Sequence, residues 1–281
     1  MKTTALRRKQ RVILMTALMG LASSAWTANI EVFGVQRYLG GLYSDVPGSG
    51  GSSNFSTTAN ATGDFAVFDM RKDGVDFADL RVTFTEGSTT NVMLNRTSNS
   101  QGLTDTATIS FLLTNTNAGY TASFRFDWFA PGSFSNGVYQ SGSLISDPIL
   151  YTTFDIDFNQ LVGVQTNQLQ YYALATNTLL RTNTTRVASY ISFEDSGANS
   201  TYTEPRTASQ FLTRAGTASH DIIMGKQSSG GNSLFMFEFR DPSQIIPDQF
   251  PPVSIPEPTA VGLIALGGIF TLTITRLRRR R

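Results

Sequence analysis

Alternation of apolar and polar residues with a period of two is the feature that most constrains this chain. Between residues 29 and 242, short runs place aromatic or β-branched side chains at every second position. The runs are residues 81–85, 106–114, 123–128, 153–158, 187–193 and 235–239. Successive side chains of an extended strand point to opposite faces, so each run predicts a strand with one face in a core and one in water.

Turn-forming clusters separate these runs. Glycine, serine, asparagine and proline are concentrated at residues 47–53, 131–133, 135–137, 196–199 and 228–232. Short strands divided in this way predict an all-β fold, an antiparallel β-sandwich with jelly-roll-like connections.

Helical spacing is scarce in the central part of the chain. The best pattern lies at residues 205–216, where proline stands near the start, glycine at the end and apolar residues recur at i, i+3, i+4 and i+7. We expect at most one or two short helices, with this segment crossing one end of the sandwich.

The chain has no cysteine and one histidine, which excludes several chemistries. Disulfide scaffolds, thiol nucleophiles, cysteine-ligated zinc and multi-histidine metal centres are all ruled out within one chain. His220-Asp221 is the one place where histidine could join a catalytic dyad, and no Gly-x-Ser-x-Gly elbow supplies a nucleophile. A lone histidine beside a turn predicts a surface side chain. We therefore expect a protein that is not an enzyme and needs no cofactor.

The net charge of +1 hides an uneven distribution. Ten of the 22 basic residues lie in the first 11 and last six positions, and 20 of the 21 acids lie between residues 29 and 255. The central segment therefore carries a net charge of −8. A nucleic-acid-binding surface needs a basic patch, so we expect no nucleic-acid partner. Basic clusters that flank apolar stretches are typical of membrane-targeting segments.

The N-terminus has the three parts of a secretory signal peptide. Residues 1–11 are basic, residues 12–22 are apolar, and Ser23-Ser24-Ala25 supplies small residues for cleavage after Ala25. The alternative is a retained membrane anchor, but ~11 apolar residues are too short to cross a bilayer as a helix. Arg7-Arg8 also raises the twin-arginine route, which Lys9-Gln10-Arg11 fits poorly, so we expect the general secretory route.

The C-terminus combines three features in order. Pro256-Glu257-Pro258 comes first and an apolar run over residues 259–275 follows. As a helix this run is at the short limit for a membrane span. A basic tail at residues 276–281 ends the chain, and the positive-inside rule keeps its arginines cytoplasmic. The tail arginines are Arg276, Arg278, Arg279, Arg280 and Arg281.

This tail resembles the PEP-CTERM sorting signal of Gram-negative bacteria, with Ile255 where many members have valine. In that family an exosortase, a membrane protease-transpeptidase, reads the signal and is thought to cut near the Pro-Glu-Pro. The resemblance implies that Pro256, Glu257 and Pro258 are recognition residues, that the membrane anchor is transient, and that the body reaches the cell surface or extracellular matrix. The alternative is a simple C-terminal anchor.

These segments divide the chain into four parts. We expect a signal peptide at 1–25, an extracytoplasmic β domain at 26–242, a proline-rich linker at 243–255 and a sorting signal at 256–281. Pro247, Pro251 and Pro252 in the linker favour an extended, stiff spacer between body and membrane.

Acidic residues give the weak metal candidates of the sequence. The run from Asp69 to Asp79 contains Asp73 and Asp76, but it lacks EF-hand spacing and Arg71 and Lys72 compete for its carboxylates, so a hairpin turn is the main interpretation. Asp155 and Asp157 share one face of a predicted strand. The alternation places that face in solvent; the alternatives are a surface calcium site or a glycosidase carboxylate pair.

Aromatic residues near predicted strand ends could stack on sugars or fill the core. They are Phe129, Tyr139, Tyr171, Tyr172 and Tyr202. The leading prediction is an exported surface or matrix protein with structural or adhesive contacts to extracellular polysaccharide. The alternatives are a lectin-like carbohydrate-binding module, with or without calcium, and a glycoside hydrolase. The expected partners are the secretion machinery, an exosortase, the cytoplasmic membrane and polysaccharide.

Overall fold

Antiparallel strand pairing builds nearly all of the regular structure of this protein. The computed structural model describes residues 29–38, 62–87, 92–95, 108–113, 119–154, 156–195, 197, 205–227, 233–242 and 252–254. The predicted signal peptide, the sorting signal with its membrane segment and basic tail, and Asp155 lie outside these ranges. The prediction of an all-β antiparallel fold is confirmed.

The described residues form seventeen strands and two 3₁₀ turns. The strands are β1 Asn29–Tyr38, β2 Phe65–Lys72, β3 Val75–Gly87, β4 Val92–Asn95, β5 Thr108–Leu113, β6 Tyr120–Phe129, β7 Phe134–Ser135, β8 Val138–Tyr139, β9 Leu150–Phe154, β10 Gln160–Gln165, β11 Leu169–Leu174, β12 Leu180–Asn183, β13 Tyr190–Asp195, β14 Ser209–Thr213, β15 Ser219–Lys226, β16 Ser233–Arg240 and β17 Pro252–Ser254. The 3₁₀ turns are Thr166–Gln168 and Pro205–Thr207.

Fifteen of these strands belong to one continuous sheet. Its order is β12-β13-β10-β15-β6-β3-β2-β1-β16-β9-β14-β11-β17, with β5 paired to β16 and β4 to β5. β7 and β8 form a separate hairpin. The expected sandwich thus differs from the structure in one respect, because both layers belong to the same hydrogen-bonded sheet.

The sheet folds over so that distant strands face each other across one core. The ring of Phe126 on β6 lies 5.8 Å from that of Phe237 on β16, although four pairing steps separate the two strands. Phe193 on β13 stacks on Phe211 of β14 at 6.4 Å in the same way. The layers are joined through β1, whose pairing with β2 contains two register shifts. Such bulges bend a strand and increase its twist, which lets the sheet turn back on itself.

Two hairpins follow from local sequence. Asp73-Gly74 joins β2 to β3 with both residues at positive φ, and Asn136-Gly137 joins β7 to β8 in the same way. Asp-Gly and Asn-Gly favour the two-residue turn with this backbone, because it matches the twist of the paired strands. The hairpin interpretation of the acidic run is therefore confirmed.

The predicted helix at residues 205–216 is wrong. Pro205–Thr207 forms only a 3₁₀ turn, and β14 follows at Ser209–Thr213. β14 pairs with β9 on one side and β11 on the other, and all five of its side chains are buried. Four apolar residues at helical spacing could not outweigh two flanking ladders contributed by distant parts of the chain.

The C-terminal part of the predicted linker lies on the sheet. Pro252–Ser254 forms β17, which pairs antiparallel with β11. The described sheet therefore extends past residue 242, the predicted end of the β domain. A proline is tolerated there because β17 is the last strand in the order of the described sheet, where an edge position requires hydrogen bonds on one side only.

Replacing Phe237 tests the packing between the layers. Phe237 is fully buried and its ring contacts those of Phe111 and Phe126. We expect Phe237→Ala to lower the free energy of unfolding by about 3–5 kcal/mol, because the lost ring leaves a cavity. Urea denaturation of the body measures this. Val75→Ala, at a side chain 69% exposed, is the control and should change it by less than about 0.5 kcal/mol. Equal effects would contradict the assignment of Phe237 to the core.

Candidate functional site

An acidic groove of about 240 Å³ lies beside the β2–β3 hairpin. Strands β2 and β3 contribute Asp69, Arg71, Asp76 and Asp79, and the loop after β6 closes the other side. Asp69 and Asp79 are register partners, so their side chains leave the same face of the hairpin. The fold thus concentrates negative charge in one concave place.

Asp79 anchors the loop that closes the groove. Its carboxylate is 3% exposed and accepts a hydrogen bond from the Phe134 backbone N–H at 2.9 Å. Burial raises the pKa of Asp79 and the charge of Asp69 adds to this, while hydrogen bonds from the backbone N–H groups of Phe134, Gly132 and Ser133 oppose it. These contacts fix the start of β7 against β3, so Asp79 acts mainly as a positioning residue.

An exposed apolar surface adjoins this groove, and we call it the Tyr139 corner. It consists of Val138, Tyr139 and Leu144, which are 48%, 51% and 44% exposed. The Tyr139 ring packs 5.7 Å from Phe129 and 5.6 Å from Phe134, both nearly buried. Since Phe134 also lines the groove, the corner and the groove are neighbours.

Tyr139 is held in place by its own hydroxyl as well as by packing. Its Oη donates to the backbone oxygen of Gly142 at 2.7 Å. Beneath it, the Arg81 guanidinium lies 5.1 Å from the centre of the Phe129 ring. A tyrosine fixed at both ring and hydroxyl loses little freedom when it binds a ligand, so its exposed half is suited to stacking.

The other aromatic candidates have different positions. Phe129 is 8% exposed and belongs to a small core cluster, and Tyr172 packs against Phe193 at 5.5 Å. Tyr171 is half-buried and burial raises its pKa to about 12. Tyr202 lies outside the described residues. Of the predicted stacking residues that are described, Tyr139 is the one with an exposed side chain.

The calcium candidates that the structure describes do not form a metal site, and Asp155 lies outside the described residues. Asp73 is exposed in the hairpin turn, and Asp76 pairs with Arg71 at 2.8 Å, as the competition in the sequence predicted. Asp157 lies in a different part of the fold, where it begins the turn 157–160. Over the described ranges, no group of three or more aspartate, glutamate and histidine side chains is arranged to hold a metal ion.

The prediction that Asp157 faces solvent and Phe158 faces the core is wrong. β9 ends at Phe154, and Asp157 is 4% exposed whereas Phe158 is 47% exposed. Phe158 and Asn159 have positive φ, and the Gln160 N–H donates to the Asp157 carbonyl. The chain therefore turns where the alternation predicted a continuing strand, which reverses the exposure of both side chains.

His220 is buried, so the prediction of a surface histidine is also wrong. It lies on β15 with no exposed area. Its Nε2–H donates to the Thr217 carbonyl at 3.1 Å, so its Nδ1 accepts from the Tyr151 hydroxyl at 2.7 Å. Tyr151 Oη in turn accepts from the Trp128 indole N–H at 2.7 Å. Asp221 points elsewhere, to Arg125 at 2.9 Å and Gln168 at 3.1 Å, so no His–Asp dyad forms.

Sequence reasoning missed Phe134, which links the groove to the Tyr139 corner. The Asn136-Gly137 signal placed a turn there, and an aromatic residue just before a predicted hairpin was the available clue. Its anchoring by Asp79 joins residues 55 positions apart, which no local pattern reveals.

Ala25, Pro256, Glu257, Pro258 and the tail arginines lie outside the described residues. None of the helical segments that the structure describes is long and apolar enough to span a membrane.

Comparisons with known proteins identify no family for this chain. No protein-family model matches the chain, and no curated protein matches it. Among solved structures, the N-terminal domain of an adhesin of Streptococcus gordonii aligns with 12% identity and a TM-score of 0.46. The alignment covers 76% of this chain and 61% of the adhesin domain's chain. A TM-score below 0.5 does not establish a shared fold.

Acidification tests the buried histidine. Burial lowers the pKa of His220 to about 4, against about 6.5 in an unfolded chain. Between these two pH values His220 is protonated in the unfolded chain but neutral in the folded chain. The free energy of unfolding should therefore fall as the pH drops from about 6.5 to 4, and this group contributes roughly 1.4 kcal/mol per pH unit. Urea unfolding at pH 7.5, 5.5 and 4.5 measures the slope.

The matched variant is His220→Asn, whose amide oxygen can still accept from Tyr151. It should be less stable than the wild type at pH 7.5, yet its stability should depend less on pH between 6.5 and 4. Identical pH slopes for the two proteins would show that His220 does not titrate in this way.

Proposed function

We propose that the protein is an exported surface or extracellular-matrix component with a structural and adhesive role. One observation carries this proposal: Pro256-Glu257-Pro258, the apolar run 259–275 and the arginine tail 276–281 occur together and in order. On this proposal the signal peptide is removed after Ala25 during secretion. An exosortase then reads the tail in the cytoplasmic membrane, and the body is released to the surface or matrix.

The Tyr139 corner and the acidic groove are the proposed adhesive surface. A half-exposed, fixed tyrosine ring offers a flat face to a sugar ring, and the carboxylates of Asp69 and Asp76 with the Arg71 guanidinium offer hydrogen-bonding groups beside it. The central segment carries a net charge of −8 and would repel a polyanion. The proposed ligand is therefore a neutral polysaccharide.

A lectin-like carbohydrate-binding module is the second candidate, and the exposed Tyr139 ring favours it. It differs from a purely structural role because the isolated body would bind sugars in solution. The described acidic residues give calcium no support. A glycoside hydrolase is disfavoured as well, since Asp157 is buried in a turn and does not lie on a solvent-facing strand.

The sorting proposal is tested by replacing Pro256, Glu257 and Pro258 with alanine. We expect the variant to accumulate in the cytoplasmic membrane at full length, because the recognition residues are gone while the apolar run remains. Cell fractionation with mass spectrometry of the mature C-terminus measures this. The control changes Pro247 and Pro251 to alanine, keeps both the motif and β17, and should be released like the wild type. Unchanged release of the motif variant to the surface or medium would disprove the proposal.

The adhesive surface is tested at Tyr139 with two variants. Tyr139→Ala removes the ring and should weaken binding of the mature protein to neutral polysaccharide at least about tenfold, which corresponds to the loss of about 1.4 kcal/mol of contact with the ring. Tyr139→Phe keeps the ring and should bind within about threefold of the wild type. Affinity electrophoresis and a glycan array measure both. Equal binding by all three proteins would exclude the Tyr139 corner as the contact surface.

A further inference from the structure

β17 lies at one edge of the described sheet, and it is the strand that comes just before the proposed processing motif in the sequence. Its residues pair one to one with β11, Tyr171 with Ser254, Tyr172 with Val253 and Ala173 with Pro252. β11 is itself held by β14, so β17 is added to a sheet edge that is already built. This pairing is the way in which an extended peptide binds to a free strand edge.

A groove of about 510 Å³ lies beside β17, between the two ends of the sheet order. Val253 of β17 lines it together with Tyr172 and Leu174 of β11 and Leu180, Arg181 and Thr182 of β12. Val253 is 47% exposed, so its side chain covers the groove only in part. The strand is three residues long, and β11 pairs with β14 on its other side, so release of β17 would leave the β11–β14 ladder in place.

Only Ile255 separates β17 from Pro256. Two residues of extended chain reach at most about 7 Å, so a docked β17 holds the start of Pro256-Glu257-Pro258 close to the sheet edge. A protease that binds an extended substrate pairs with the backbone around the scissile bond. The backbone groups of residues 252–254 that face β11 are already paired while β17 is docked.

We propose that the edge of β11 is a binding site for the chain's own processing segment, in competition with the sorting protease. While β17 is docked, the backbone upstream of the motif is paired with β11 and the protease cannot bind it. When β17 leaves the edge, the protease can pair with that backbone. The segment needs to be extended, short and followed closely by the motif, as Pro252–Ser254 is. This inference rests on the proposed sorting function and adds to it a step that precedes cleavage.

An engineered disulfide tests the proposal in the full-length protein. The chain has no cysteine, so Tyr172→Cys combined with Val253→Cys creates one defined pair at directly opposite positions. The pair is introduced in the producing bacterium, and loss of a C-terminal tag is followed by pulse–chase with and without a reductant. We expect the oxidised protein to be cleaved at least tenfold more slowly than the wild type, and the reductant to restore the wild-type rate.

Three controls separate docking from side effects. Each single cysteine variant shows what the substitution itself does. Thr83→Cys with Arg125→Cys places a disulfide between register partners of β3 and β6 and leaves β17 free, so it should not slow cleavage. Cleavage of the oxidised Tyr172–Val253 pair at the wild-type rate would overturn the proposal, and so would failure of that pair to form a disulfide. A wild-type chain that is never cleaved would instead overturn the sorting function itself.

Discussion

Packing of one sheet against itself is the constraint on which the rest of this structure depends. Fifteen strands with one strongly aromatic face cannot remain open, because burying that face provides most of the free energy that opposes chain entropy. The rings of Phe126, Trp128, Phe237 and Phe239 meet between β6 and β16 at centroid distances of 5.3–6.4 Å. This contact brings the two halves of the sheet together, and the bulged strand β1 is where they join.

Hydrogen bonds between polar groups inside the core fix the position of one layer of the sheet relative to the other. Apolar contacts alone tolerate sliding, whereas a buried hydrogen bond is lost if one layer shifts by a residue. Trp128 on β6, Tyr151 on β9 and His220 on β15 are linked in a chain that ends on the Thr217 carbonyl. A protonated His220 would donate from both nitrogens, so the Tyr151 hydroxyl would have to accept two bonds and its own proton would lose the acceptor it has now. The neutral histidine therefore serves the fold, and its position needs no catalytic explanation.

Local sequence predicted the features whose causes are local. The Asp73-Gly74 and Asn136-Gly137 turns follow from backbone preferences of two residues, and the alternation found the strands that contain Phe111, Phe126 and Phe237. The errors have distant causes. Residues 209–213 became a strand because β9 and β11 flank them, and His220 is buried because β9 covers it with Tyr151. For the same reason the acidic run indicated a hairpin but not that Asp79 would anchor Phe134, since the partner amides come from another part of the chain.

The position of β17 connects folding to the proposed sorting signal. β11 pairs with β17 on one side and with β14 on the other, and β14 pairs in turn with β9, which pairs with β16. The edge that holds β17 is therefore part of that layer of the folded sheet. A body that has not folded cannot retain Pro252–Ser254, so folded and unfolded chains present the region before Pro256 in different ways. If the proposed sorting function holds, only Ile255 separates the last strand of the sheet from the recognition motif, so a change in that strand would affect both the fold and the sorting.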